Sequence, residues 1–308
     1  MSDFREVERK LRIPGFKTAL FLFLLLGMLL SGLPAQEEDE DEDVVFKGAG
    51  IHVRLGGGYA LLSGGDFKTG IQGLYGWGAQ TIVDHGYTLG KSDEAPLRSG
   101  YELGGDIVYY LAGRLGIGLG GTLARVNKTN EQRYAYGGVP VDYSMQVVPQ
   151  ISILSFRLGL FYALPLNPLL TVCFSAGPAY YAVDYKLSMN LREAAYTYSM
   201  TQKAEAGSLG VQGGVGLEIR MNPRMAFILE AQGRYAKISG FEGKEQLYEY
   251  LGGPVSSSEK NGVVYYLERE GYPRLEISGE TPATGFNSRE AVFDFSGISF
   301  RAGLNFKF

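Results

Sequence analysis

Cysteine occurs once in the 308 residues, at Cys173, so no intrachain disulfide can form. Histidine occurs twice, at His52 and His85. Two histidines and one cysteine cannot build an ordinary histidine-rich metal site, and no cofactor is expected. Basic residues are not in excess: 29 Lys and Arg against 33 Asp and Glu give a formal charge of −4, which argues against nucleic acid as a partner. Long helical periodicities are missing too. What is abundant is glycine (44), tyrosine (21) and phenylalanine (17). Glycine and aromatics without helical periods point to an all-β chain with small side chains in crowded places.

The N-terminus carries the clearest targeting signal. Arg5, Arg9, Lys10, Arg12 and Lys17 precede the apolar run 18–33, and Pro34-Ala35-Gln36 follows it. A basic leader, a short apolar segment and a small residue describe a secretory signal peptide over 1–35, cleaved after Ala35. The rival is an uncleaved membrane helix, for which the run falls short of ~20 residues. Residues 37–43 are seven consecutive acids, read with their flanks as an acidic, flexible leader over 36–47. The folded domain is then 48–308.

Eight later segments alternate with period two: 51–62, 101–111, 115–126, 153–164, 170–183, 209–221, 227–237 and the closing SGISFRAGLNFKF. The apolar phase shifts between Ile153 and Leu154, which predicts a bulge or a strand start there. Each segment is longer than the usual 5–6 residues of a globular strand and matches the ~9–11 of a tilted membrane-crossing strand. The connections run long, short, long, short, long, short, long: 63–100, 112–114, 127–152, 165–169, 184–208, 222–226 and 238–297. The short ones carry Gly113, Asn167, Pro168, Asn222 and Pro223. That asymmetry fits an eight-stranded antiparallel up-and-down transmembrane β-barrel with short periplasmic turns and long external loops. Within the last loop, 262–279 reads as an external hairpin; were it to cross, the barrel would have ten strands.

One face of these segments is nearly free of charge. The other carries Arg54, Glu102, Asp106, Arg157, Glu218, Glu230, Arg234 and Arg301, four acids and four arginines, interleaved with glycine. Buried charges persist only when paired, so this face is expected to enclose an ion-pair network in a narrow interior. The uncharged face meets lipid, where a lysine or arginine would cost ~2–4 kcal/mol at the midplane. Arg125 counts outward and is expected near the external rim. Tyr59, Tyr101 and Tyr235 near the loop ends, with Tyr109, Tyr162, Phe227 and Phe308 near the turn ends, suggest two aromatic girdles.

The terminal strand SFRAGLNFKF, with Phe300, Leu304, Phe306 and Phe308 on one face, resembles the signal read by the barrel assembly machinery. The chain from 48 to 308 resembles the small eight-stranded outer-membrane barrels of the OmpA, OmpX and OmpW type, and 227–243 is similar to their penultimate-strand region. The resemblance implies the outer membrane of a Gram-negative-type bacterium, reached by Sec-type export. It implies outer-membrane lipid, lipopolysaccharide, the assembly machinery and periplasmic chaperones as partners. It implies a structural, surface-binding barrel with long external loops, or an OmpW-like conduit for small hydrophobic solutes. The external ligand is not encoded in any motif.

Enzyme readings are weaker. Residues 116–121 spell a dinucleotide fingerprint by letters, but inside a strand with no helix after it. A loop-borne hydrolase would need a histidine base. Asp84-His85 could activate water, while His52 faces inward and reads as an interior residue, as does Cys173. No enzymatic activity is expected.

Overall fold

The computed structural model describes residues 50–84, 86–93, 99–112, 114–136, 139–193, 196–250, 252–282 and 287–308. The expected signal peptide 1–35, the acidic leader 36–47 and His85 lie outside the described residues. The elements are β1 Gly50–Gly65, α1 Asp66–Asp84, β2 Tyr87–Asp93, β3 Ser99–Ala112, β4 Leu115–Asn127, β5 Asn130–Tyr136, β6 Val139–Pro165, β7 Leu170–Glu193 and β8 Tyr196–Asn222. They continue with β9 Met225–Tyr235, β10 Lys237–Ile238, β11 Glu242–Tyr250, β12 Ser256–Arg269, β13 Tyr272–Ser278, β14 Arg289–Glu290 and β15 Phe293–Lys307.

Eight strands close a ring. β1 pairs β3, β3 pairs β4, β4 pairs β6, β6 pairs β7, β7 pairs β8, β8 pairs β9, β9 pairs β15, and β15 returns to β1, all antiparallel. Following partners from Tyr101 one way round leads through Arg125, Ser152 and Asp184 to Glu205 on β8. The other way leads through Tyr59, Phe300 and Ala231 to Val215 on β8. The two paths arrive ten residues apart, and that stagger tilts the strands of a narrow eight-stranded cylinder. The short connections 165–169 and 222–226 hold as turns. The Asn167 side chain accepts from the Leu169 and Leu170 N–H groups at 2.9 Å each, and Asn222 Oδ1 accepts from Arg224 N–H at 2.9 Å.

The expected long loops are not loops. β6, β7 and β8 run 27, 24 and 27 residues, well past the ring's neighbouring strands. β5 and β2 extend this sheet on one side; β11, β12 and β13 extend it on the other. The expected hairpin is present as β12 and β13 and stays outside the ring. The 63–100 stretch contains α1, a helix that the sequence pattern did not suggest. Gly64 and Gly65, at φ 91° and 55°, turn the chain into it. Asp66, at its first turn, accepts from Val292 N–H at 2.7 Å and from both Arg289 Nη atoms at 2.5 and 2.7 Å.

The phase shift at Ile153 has a different cause from the one expected. Pairing runs without interruption through Ile153 and Leu154 on both flanks of β6, so there is no bulge. The alternation of side chains continues; what changes is the chemistry of the two faces. Met145, Val147, Ile151 and Ile153 point inward above the change, and Ser155 and Arg157 point inward below it. Outward, Ser144, Gln146, Gln150 and Ser152 give way to Leu154, Phe156, Leu158, Leu160 and Tyr162. β7 repeats the pattern, its outer face passing from Val172, Phe174 and Tyr180 to Asp184, Lys186 and Ser188.

Above that level the fold closes on an apolar core. Phe67 and Ile71 of α1 meet Tyr185, Phe241, Val264, Ile277, Phe293 and Phe295, all buried. Phe293 sits 4.3 Å from Phe241, 5.3 Å from Tyr185 and 5.5 Å from Phe67, centroid to centroid.

Candidate functional site: the enclosed charges

Even spacing along each strand turns one face of the ring inward. β1 supplies His52 and Arg54, β3 Glu102 and Asp106, β6 Arg157, β8 Glu218, β9 Glu230 and Arg234, and β15 Arg301. Each of these nine is buried. The structure brings the eight charged residues named from the sequence into two groups, the larger reaching from the extended end to the middle of the ring. Near the extended end, Arg234 pairs with Glu102, whose other oxygen accepts from Ser299. In the middle, Arg157 meets Asp106 at 2.5 Å and Arg301 meets Glu230 at 2.7 Å. Arg301 also lies 3.8 Å from Asp106 and 3.9 Å from Glu102, so one guanidinium bridges three carboxylates. Near the turn end, Arg54 Nη2 donates to Glu218 at 2.8 Å and to Tyr110 at 2.8 Å.

Glycine makes room for these groups. A Cβ on Gly120 would collide with Asp106 Oδ1, and one on Gly104 would lie 3.0 Å from Arg301 Nη1. Phe161 fills the space between Arg54 and Arg157, whose guanidinium carbons lie 5.3 and 5.2 Å from its ring centre. Val108, Tyr110, Phe161, Ala163 and Cys173 form a small apolar floor. The void bounded by Arg54, Asp106, Glu230 and Arg301 has room for about one water.

Several members were not picked out from the sequence. Lys307 lies 3.6 Å from Glu218, Asn305 Nδ2 donates to Glu218 at 2.9 Å, and Cys173 lies 3.2 Å from the same carboxylate. Lys307 and Asn305 share the polar phase of the closing strand, so alternation could have found them; Cys173 reads as an interior residue, but its contact with the carboxylate carries no signal in the sequence. His52 stands 3.2 Å from Asn305 Nδ2 and tilts against Tyr110 at 4.6 Å. Phe300, Leu304 and Phe306 lie in the opposite phase, on the outer side of β15, and the terminal Phe308 is 80% exposed.

The extension holds its own polar island. Tyr185 donates to Gln202 at 2.8 Å, and Gln202 donates to Glu245 at 2.7 Å and to the Leu275 carbonyl at 3.0 Å. Burial pushes the Glu245 carboxyl above its ordinary range, against the bond from Gln202 and the charge of Lys260.

What the ring can do chemically follows from this inventory. Each acid has a cation, the interior is filled, and its outer wall is apolar. A family model described as outer membrane protein beta-barrel domain matches residues 23–250, which include seven of the eight ring strands. β15 lies beyond the match and closes the ring by its own pairing. Among solved structures, the chain is similar to the outer membrane protein OprG from Pseudomonas aeruginosa, at 12% identity over 85% of this chain and 97% of that one, with a TM-score of 0.32. It is similar also to a major outer membrane protein from Thermus thermophilus, at 16% identity over 85% and 100%, with a TM-score of 0.34. No curated protein matches the chain.

Proposed function

This chain belongs to the outer membrane protein beta-barrel domain family, and from that premise we propose that it is a plugged barrel whose task is to hold a folded head at the membrane surface. The observation that carries the proposal is the filling of the cylinder by two unlike means, an ion-paired lumen and an apolar core above it. In this reading the turns after β3, β6 and β8 face the periplasm, and the extension of β6, β7 and β8 with α1 stands outside. The head is the binding surface. The leader 1–35 is removed on export, chaperones carry the chain, and the assembly machinery reads the β15 face that ends in Phe308. Lipid and lipopolysaccharide surround the ring.

Planar-bilayer recording tests the central point. Purified protein should give no conductance steps above background; steady, resolved steps from the wild type would contradict a filled lumen.

One observation favours the conduit as a second reading. The β6–β7 ladder pairs Arg157 with Ala179 and then Leu160 with Ala176, skipping Leu158 and Gly159 opposite Pro178 and Gly177. Proline has no N–H for the ladder. A weakened seam in the wall is where an apolar solute would leave sideways. Uptake of such a solute that is lost in Pro178→Ala, where the seam regains a donor, would move the conduit ahead of the plugged barrel.

A further inference from the structure

Residues directly opposite on one face of an antiparallel pair stand about 4.5–5.5 Å apart at Cβ. On the outer face of the extension, Lys186 of β7 is opposite Lys203 of β8, and Lys203 is opposite Lys244 of β11. Two residues nearer the ring, Asp184 is opposite Glu205, and Glu205 is opposite Glu242. Below them the surface turns apolar: Ala182 faces Gly207, and Tyr180 faces Leu209, which is 74% exposed. Three strands therefore carry a row of lysines and a row of acids, and on β7 and β8 the apolar belt follows below them. Like charges set directly opposite destabilise a sheet, yet each row keeps one sign throughout. The lysines held in ion pairs among the described residues are Lys260 and Lys307; the row's three are in none.

We propose that this face binds the anionic saccharide headgroup of a glycolipid, with Lys186, Lys203 and Lys244 as its anion contacts. The inference rests on the ring spanning the membrane, which makes the face continuous with the lipid belt. The order of the rows supplies the selectivity. The phosphate of a glycerophospholipid lies at the edge of the hydrocarbon, where Asp184, Glu205 and Glu242 repel it. A glycolipid carries further anions on its sugars. The lysines stand about 7 Å farther along the strands than the acids, at the level such sugars reach. The acids face one another across the strands, Asp184 to Glu205 and Glu205 to Glu242, so their shared sign gives them the part of repulsion. The two rows together sort headgroups by the height of their charge.

The test uses the full chain folded in detergent micelles, with the shift of the unboiled band on a gel as proof of the barrel. Rough-type lipopolysaccharide, phosphatidylglycerol and inorganic phosphate are titrated separately, and bound ligand is counted by native mass spectrometry. The wild type should retain lipopolysaccharide and hold the other two far more weakly. Each Lys→Gln change should weaken retention roughly fivefold, and Lys186→Gln with Lys203→Gln and Lys244→Gln on the order of a hundredfold. Asp184→Asn with Glu205→Gln and Glu242→Gln should admit phosphatidylglycerol. Unchanged retention by the triple lysine variant, or equal binding of phosphatidylglycerol by the wild type, overturns the inference. Inorganic phosphate bound with the same lysine dependence overturns the lipid assignment. A chain that never gives the shifted band removes the membrane barrel itself, a failure distinct from these.

Discussion

Arg157 and Ile151 lie six residues apart on the same face of β6, and both point into the same cylinder. One is an ion-paired cation and the other a buried hydrocarbon. Behind them, on the outer face, Leu158 is 59% exposed while Gln146 and Gln150 take the corresponding places above. The strand is geometrically uniform, so backbone geometry does not set which face is greasy. The surroundings do. Where lipid bathes the wall, apolar side chains face out and the polar remainder must satisfy itself inside. Where water bathes the wall, the apolar side chains turn in and pack. On the proposed reading, the level of Ile153 is where one solvent replaces the other.

The two regions are held by different forces, and substitutions should separate them. Trp77, on α1 and 4.0 Å from the Arg274 guanidinium, reports the extension by fluorescence; the gel shift reports the ring. Arg301→Ala removes the cation shared by Glu230, Asp106 and Glu102 and should cost about 3–5 kcal/mol, lowering the urea midpoint of the gel shift. Removing Glu230 together with Arg301 should cost less than the two single changes summed, because neither charge is left buried alone. Phe293→Ala should cost about 3–5 kcal/mol, but in the Trp77 transition, with the gel shift nearly unmoved. Equal movement of both signals in both variants would mean that the two regions unfold as one.

The outer face gives a finer comparison. Leu158→Arg places a cation on the lipid side and should cost about 2–4 kcal/mol. Gln146→Arg, in the same phase of the same strand, should stay within about 0.5 kcal/mol. Both are read from urea titrations in lipid vesicles.

The smallest effect is a pH dependence confined to the extension. Glu245 has a folded value raised above its ordinary 4.5. Its protonated form is favoured by the fold, so its contribution is present below that ordinary value and is lost as pH rises through the raised one. The Trp77 midpoint should fall over that window, and Glu245→Gln should flatten the fall.

The ring was legible in the sequence because period two survives wherever one face meets a uniform solvent. All eight alternating segments became ring strands, and Arg54, Asp106 and Arg301 stand on the phase that alternation assigned to the interior. The extension was hidden for the same reason. Residues 143–152 and 184–192 alternate too, but with the polarity of the faces exchanged, so a search for one phase breaks at Ile153 and names the rest a loop. α1 was hidden by Gly70, Gly73, Gly76 and Gly78, each of which costs a helix about 1 kcal/mol against alanine. Packing explains all four: a Cβ would crowd Leu275 at Gly70, Pro273 at Gly73 and Tyr272 at Gly76, all on β13, and Met145 of β6 at Gly78. Glycine there serves close approach, and that information belongs to the partner strands rather than to the helix.

A nitroxide scan along β6, on a Cys173→Ala background in lipid vesicles, tests the exchange of faces most directly. Labels at even positions from 154 to 162 should collide with oxygen dissolved in the bilayer, and labels at even positions from 144 to 152 with a water-soluble relaxant. Odd positions should be shielded from both. Bilayer contact at 146 and 150, or at 155 and 157, would contradict the account.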